Sequence, residues 1–265
     1  MSGPDLGWWR AVALICATGF AALALFVAWP ELDLAAAALF FEDRRFPLGD
    51  GALARGLRVA YRWAFVAGCV AAALGLSGRL ARGAAAARVP AALWLYPVAL
   101  FALGPGLLVN ALLKAHWGRA RPAQVEAFGG GAEFSGPFEI VAECASNCSF
   151  VSGEGSAAAA LAVALIGLSW GRLGAAGRAA AGAATALWLI GAAFIRMAPG
   201  RHFLSDTLFA FVLMALLGAI LYRALGVGRR REAVAPGAYA HDLAAAPFAL
   251  ARAARGAVRR RRAAR

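Results

Sequence analysis

Six apolar runs of about 20 residues each constrain this chain more than anything else in it. They span approximately residues 8–29, 59–76, 90–113, 149–170, 179–198 and 204–225. A soluble core does not need uninterrupted runs of that length, whereas a helix crossing a bilayer does. Inside a bilayer each backbone polar group must be satisfied within its own segment, so the runs read as helices. The composition agrees: 62% of the 265 residues are apolar and the mean hydropathy is +0.67. The expected fold is therefore all-α and polytopic, with six transmembrane helices forming one membrane domain over residues 1–228. The first run has the flanks of a signal peptide but is long for one and has no clear cleavage site before Glu31, so it reads as a retained helix.

Charge orients the helices. The formal net charge is +13 and the pI about 11.2. The arginines flank apolar runs and crowd the tail after Arg229, which points to anionic lipid headgroups as partners and away from nucleic acid. Segment Ser77–Arg88 carries Arg79, Arg82 and Arg88 and no acid. Six spans place both termini on the side of this link, and the positive-inside rule makes that side cytoplasmic. Ala-, Gly- and Arg-rich usage suggests a bacterial chain, hence an inner membrane. The tail, 229–265, reads as solvated disorder or as an amphipathic helix on anionic lipid. Residues 31–56 mix acids and bases and read as exposed or interfacial.

Three groups of polar residues fall on the other, outer side. Lys114, the sole lysine, lies seven residues before Arg121-Pro122, a spacing of two helical turns. Ser149-Phe-Val-Ser152-Gly153-Glu154-Gly155-Ser156 opens the fourth run, where small residues and hydroxyls leave backbone N–H groups free for an anion. Arg196 ends the fifth run, and His202 and Asp206 follow, four apart and able to share a helical face. An imidazole can attack phosphorus, a carboxylate can hold its tautomer, and an arginine can hold a phosphate oxygen. Taken singly, each group also fits a bland reading: snorkelling bases, ordinary capping, or a helical hairpin with a capping Asp.

In this order and on one face, the three groups resemble the type-2 phosphatidic acid phosphatase superfamily of integral-membrane lipid phosphatases. The resemblance covers roughly residues 58–225. Lys114, Arg121 and Pro122 match the first family motif, Ser152 and Gly153 the second, and Arg196, His202 and Asp206 the third. Two positions depart from it: Ile195 stands where the family usually has Ser, and Glu154 where it has His. The resemblance implies one site at the outer, periplasmic face, acting without metal or other cofactor. His202 would be the nucleophile that forms a phosphohistidine, and Asp206 would orient it. Lys114, Arg121, Ser152, Gly153 and Arg196 would bind the phosphate. Glu154 takes the place of the His that protonates the leaving group. Burial would raise its pKa and the cations would lower it, leaving a weaker acid than His or none.

The expected activity is removal of a terminal phosphate from a membrane lipid phosphate or diphosphate. The alternatives are a lipid phosphotransferase and a lipid-phosphate-binding protein with a degraded site. Candidate lipids are undecaprenyl diphosphate, lipid A, phosphatidylglycerol phosphate and phosphatidic acid. Cys144 and Cys148, in the outer loop, have a spacing that permits a disulfide in an oxidising compartment.

Overall fold

The computed structural model describes residues 3–83, 86–235 and 237–263. Among them there is no named strand, only two isolated bridges, so the chain is all-α. Six helices among the described residues are long and apolar enough to cross a membrane. These are α1 (Gly3–Ala28), α3 (Ala52–Arg82), α4 (Ala91–His116), α5 (Gly153–Ser169), α6 (Ala175–Met197) and α7 (Leu204–Ala224). A short α2 (Glu31–Ala38) follows α1, and α8 (Val227–Glu232) and α9 (Ala238–Ala263) follow α7. Leu14, Phe20, Leu165, Leu187 and Ile190 point away from the bundle, the outward apolar surface that a multi-pass membrane protein presents to lipid.

Helix α7 lies at the centre, against α1 and α5, while α3 packs on α4. Phe26 of α1 meets Phe209 of α7 edge to face at 6.5 Å. The main core gathers Leu93, Tyr96 and Leu100 of α4, Ala159 and Ala160 of α5, and Ala210 and Met214 of α7. Alanines at the α5–α7 contact let two backbones approach closely, as membrane helices require. A second cluster, with Val125, Phe128 and Phe203 buried and Leu34, Phe41 and Phe46 packed on it, roofs one end of the bundle.

Several boundaries differ from the sequence reading. Helix α3 runs from 52 to 82 rather than 59 to 76, so Arg55, Arg58, Arg79 and Arg82 are helical residues at its two ends. In α4, residues Ala102–Leu113 are wound in wider, π-helical turns. Pro105 has no N–H to donate, and Asn110 Nδ2 donates to its carbonyl at 2.6 Å. Helix α5 starts at Gly153, not 149, because Ser152 is its N-cap.

Two larger corrections follow. The segment after Pro30 is not simply interfacial, since α2 buries Asp33 completely. The tail is not disordered over its described residues: α9 packs along α3. Asp242 of α9 forms an ion pair with Arg82, Nη2 to Oδ1 2.9 Å, and accepts from the backbone N–H of Arg88 and Val89. Gly78 of α3 has no side chain because Ala246 occupies the space a Cβ would take. The two tail acids thus have different settings, Asp242 being buried and Glu232 exposed.

Candidate active site

The antiparallel order of helices brings the C-terminal ends of α4 and α6 beside the N-terminal ends of α3, α5 and α7. A cavity of about 390 Å³ opens there. Lys114, Arg121, Arg196 and His202 line it, together with Gly153 and Glu154. All the residues singled out from the three motifs therefore converge, except that Ser152 and Asp206 lie just behind the wall.

Each side chain reaches the site by a local device. Helix α4 stops at His116, so Lys114 and Arg121 are not two turns apart on one helix. Gly118 turns the chain at φ +72°, where a Cβ would collide with the Val141 carbonyl, and Arg121 follows in extended conformation. Lys114 is 6% exposed and donates from Nζ to the Cys148 carbonyl at 2.8 Å. Arg121 Nη2 donates to the Asn147 carbonyl at 2.6 Å. Cys144 and Cys148 are paired as a disulfide, with Cα atoms 5.6 Å apart, and bracket the turn that presents these two carbonyls. Ser152 Oγ accepts from the Gly155 N–H at 3.1 Å, an ordinary N-cap, and its own N–H donates to the Asp206 carbonyl.

His202 and Asp206 meet across the start of α7 and not along its side. His202 stands in the turn before the helix, which begins at Leu204, and Asp206 is in the first turn. His202 Nδ1 lies 3.6 Å from Asp206 Oδ2, just beyond hydrogen-bond range, and has no other partner. Burial pulls the His202 pKa down to about 3, against the opposing pull of Asp206, so the imidazole is neutral at pH 7.

Asp206 carries a full set of donors. Its Oδ1 accepts from Arg119 Nη1 at 2.7 Å, and its Oδ2 from Ser149 Oγ at 2.5 Å and the Phe203 N–H at 2.8 Å. The capping role and the His-facing position are thus combined in one carboxylate. Arg119 is itself fully buried. It donates Nη2 to Asp33 at 2.8 Å, Nη1 to Ser205 Oγ at 2.9 Å and Nε to the Ser135 carbonyl at 3.0 Å. Its guanidinium also stacks 4.4 Å from the Phe203 ring. Asp33 takes the Ser205 N–H at 2.8 Å as well. Burial raises the Asp33 pKa, and Arg119 opposes that shift.

Sequence reasoning missed Asp33, Arg119 and Ser205 in this network. The available signals were a lone acid between Leu32 and Leu34 and an arginine two residues before Arg121. It also missed Arg58, on the cavity wall with Arg62 and Arg201. Arg58 grips both oxygens of Glu154 at 2.7–3.0 Å, and Arg196 Nη1 holds Oε2 at 2.8 Å. The Glu154 carboxylate is therefore an acceptor shared by two guanidiniums.

Breaking a buried ion pair from one side leaves the other charge uncompensated, at a cost of about 3–5 kcal/mol. Asp33→Ala is expected to destabilise the protein by that order, measured by thermal unfolding in detergent. Glu31→Ala, at an exposed position of the same helix, is expected to change little. Equal unfolding temperatures for the two variants would contradict a role for Asp33 in holding Arg119.

Comparison with known proteins finds similar sequences. The chain is 38% identical over 119 residues to a lipid A 4'-phosphatase of Rhizobium leguminosarum, covering 45% of this chain and 49% of that one. It is 36% identical over 120 residues to a lipid A 4'-phosphatase of Francisella tularensis subsp. novicida, covering 45% and 52%. A lipid A 4'-phosphatase of Rhizobium etli is 54% identical over 56 residues, covering 21% and 22%. The matches thus span at most about half the length of these relatives. No solved structure matches. The PAP2 superfamily profile matches residues 93–229, more than half of the chain and all of the cavity wall except its α3 side. With the motif residues converging as they do, the chain belongs to the PAP2 superfamily.

Proposed function

We propose that the protein hydrolyses a phosphate from a membrane lipid phosphate or diphosphate through a phosphohistidine at His202. The observation that carries this reading is a buried imidazole, facing Asp206 at 3.6 Å, in the wall of a cavity shared with Lys114, Arg121 and Arg196. The relatives' names point to lipid A as one such substrate.

Nδ1 faces Asp206, so Nε2 is the ring nitrogen available to phosphorus. A short approach of Nδ1 to Asp206 gives the hydrogen bond that fixes the tautomer and stabilises the imidazolium as charge develops. In the first step the Nε2–P bond forms and the P–O bond to the lipid breaks. The lipid oxygen takes its proton from water in the open cavity. In the second step the hydroxide left by that water attacks phosphorus, the N–P bond breaks, and inorganic phosphate leaves neutral His202 behind. Lys114, Arg121 and Arg196 neutralise the phosphoryl oxygens in both steps, which is where most of the rate gain in phosphoryl transfer originates. The Gly153 N–H, at the start of α5, adds a backbone donor to the same wall.

Glu154 supplies no proton in this scheme. With both oxygens accepting from Arg58 and Arg196, it acts as the counter-ion that keeps Arg196 in place. Substrates whose leaving oxygen needs little protonation suit a site without the family's second His.

The site faces the periplasm and both termini face the cytoplasm of a bacterial inner membrane, with residues 1–228 as the membrane domain and the tail beside anionic lipid on the inner side. The acid-free basic link after α3 and the arginines of α9 support this orientation.

His202→Ala is expected to lower phosphate release from lipid A, undecaprenyl diphosphate or phosphatidic acid by at least about 10³-fold. Unchanged release would exclude the covalent route. Phosphorylated acceptor lipid in place of free phosphate would mark a transferase. Asp206→Asn is a less clean probe, because it also weakens one of the ion pairs that hold Arg119.

Topology is tested by cysteine labelling of intact cells in a background without the native cysteines. Gly131→Cys is exposed beside the site and is expected to react with an impermeant reagent. Ala86→Cys, at the opposite end, is expected to react only after permeabilisation. The reverse pattern would overturn the periplasmic assignment.

A further inference from the structure

Among the described residues, six cationic side chains line the cavity: Lys114, Arg121 and Arg196, and also Arg58, Arg62 and Arg201. Glu154 is the one carboxylate among its lining residues. A phosphate monoester carries a charge of about −1.5 to −2 at pH 7, which the first three cations already exceed by about one. The other three exceed Glu154 by two charges.

Arg58 and Arg62 are four apart on α3 and share one face of it. Their side chains are 45% and 59% exposed, so each keeps donors free of protein. Snorkelling toward headgroups would turn both away from the cavity. Instead, Arg58 reaches inward to Glu154, and Arg62 Nη2 lies 3.9 Å from the same carboxylate. Tyr61, between them, is anchored by its hydroxyl to the Trp188 carbonyl at 2.8 Å and stacks on the Trp188 ring. Tyr61 and Arg58 are therefore fixed in this wall, with Arg62 one turn further along it. It also comes from α3, outside residues 93–229 that the family profile covers.

We infer that Arg58 and Arg62 form a second anion-binding subsite, and that the preferred substrate carries a second anionic group besides the phosphate that reacts at His202. Glu154 holds Arg58 between the two subsites, joining it to Arg196 of the first. The inference rests on the hydrolase reading for its place in the reaction, but the subsite itself is a matter of binding.

The test uses full-length protein in neutral detergent micelles, with lipid A carrying two phosphates and the same lipid carrying one. The measured quantity is the ratio of kcat/KM for the two lipids. Wild type is expected to favour the two-phosphate lipid by about tenfold or more, the effect of one charge-assisted contact. Arg62→Gln is expected to remove most of that ratio, mainly through KM, and Arg62→Lys to retain most of it. A ratio that is unchanged in Arg62→Gln, whether both lipids fall together or neither does, would overturn the subsite. Repeating the measurement in micelles doped with phosphatidylglycerol separates a surface effect, which would change both lipids alike with micelle charge. Direct binding of both lipids to His202→Ala provides the same ratio without turnover. A two-phosphate preference there that Arg62→Gln abolishes would sustain the subsite even if hydrolysis were not observed. Equal binding of both lipids to His202→Ala would overturn it.

Discussion

The site depends on keeping one carboxylate ionised where there is no water. Asp206 is completely buried, and an isolated charge there would cost several kcal/mol. Arg119 removes that penalty, and it is in turn buried and held by Asp33. The chain Asp33–Arg119–Asp206 joins α2, the loop after α4 and the first turn of α7. Each member is satisfied by further donors or acceptors, so the network is rigid in a way that a single ion pair is not. His202 is placed by its backbone N–H to the Arg196 carbonyl and by the turn that Asp206 caps. The position of His202 thus follows from electrostatics several residues away.

A second balance governs the cavity. Lys114, Arg121 and Arg196 repel one another, and their side chains converge only because carbonyls at Cys148 and Asn147 and the Glu154 carboxylate accept from them. The Glu154 carboxylate also draws Arg58 of α3 into the wall.

The helical class, the number of spans and the convergence of the motif residues were legible in the sequence because each has a strong local signal. A soluble core rarely contains an apolar run long enough for a bilayer, and motif residues at helix ends are placed by those ends. Helix lengths were less legible. The arginines at both ends of α3 lower its hydropathy without breaking the helix. The packing of the tail on α3 was not legible because its net charge hides the buried Asp242, which pairs with Arg82. Asp33 was out of reach for a similar reason. A charged residue in a mixed segment looks solvated until a partner from residue 119 is brought to it, and no spacing rule links two positions so far apart in the chain. The same limit hid Arg58, whose partner Glu154 lies on another helix.

The central claim is that phosphorus passes through His202. The direct measurement is rapid mixing of the protein with ³²P-labelled lipid phosphate, an alkaline quench that preserves phosphohistidine, and mapping of the labelled peptide by mass spectrometry. The account predicts transient label on His202, absent in His202→Ala. Turnover with the label on another residue, or with none at any time point, would contradict it.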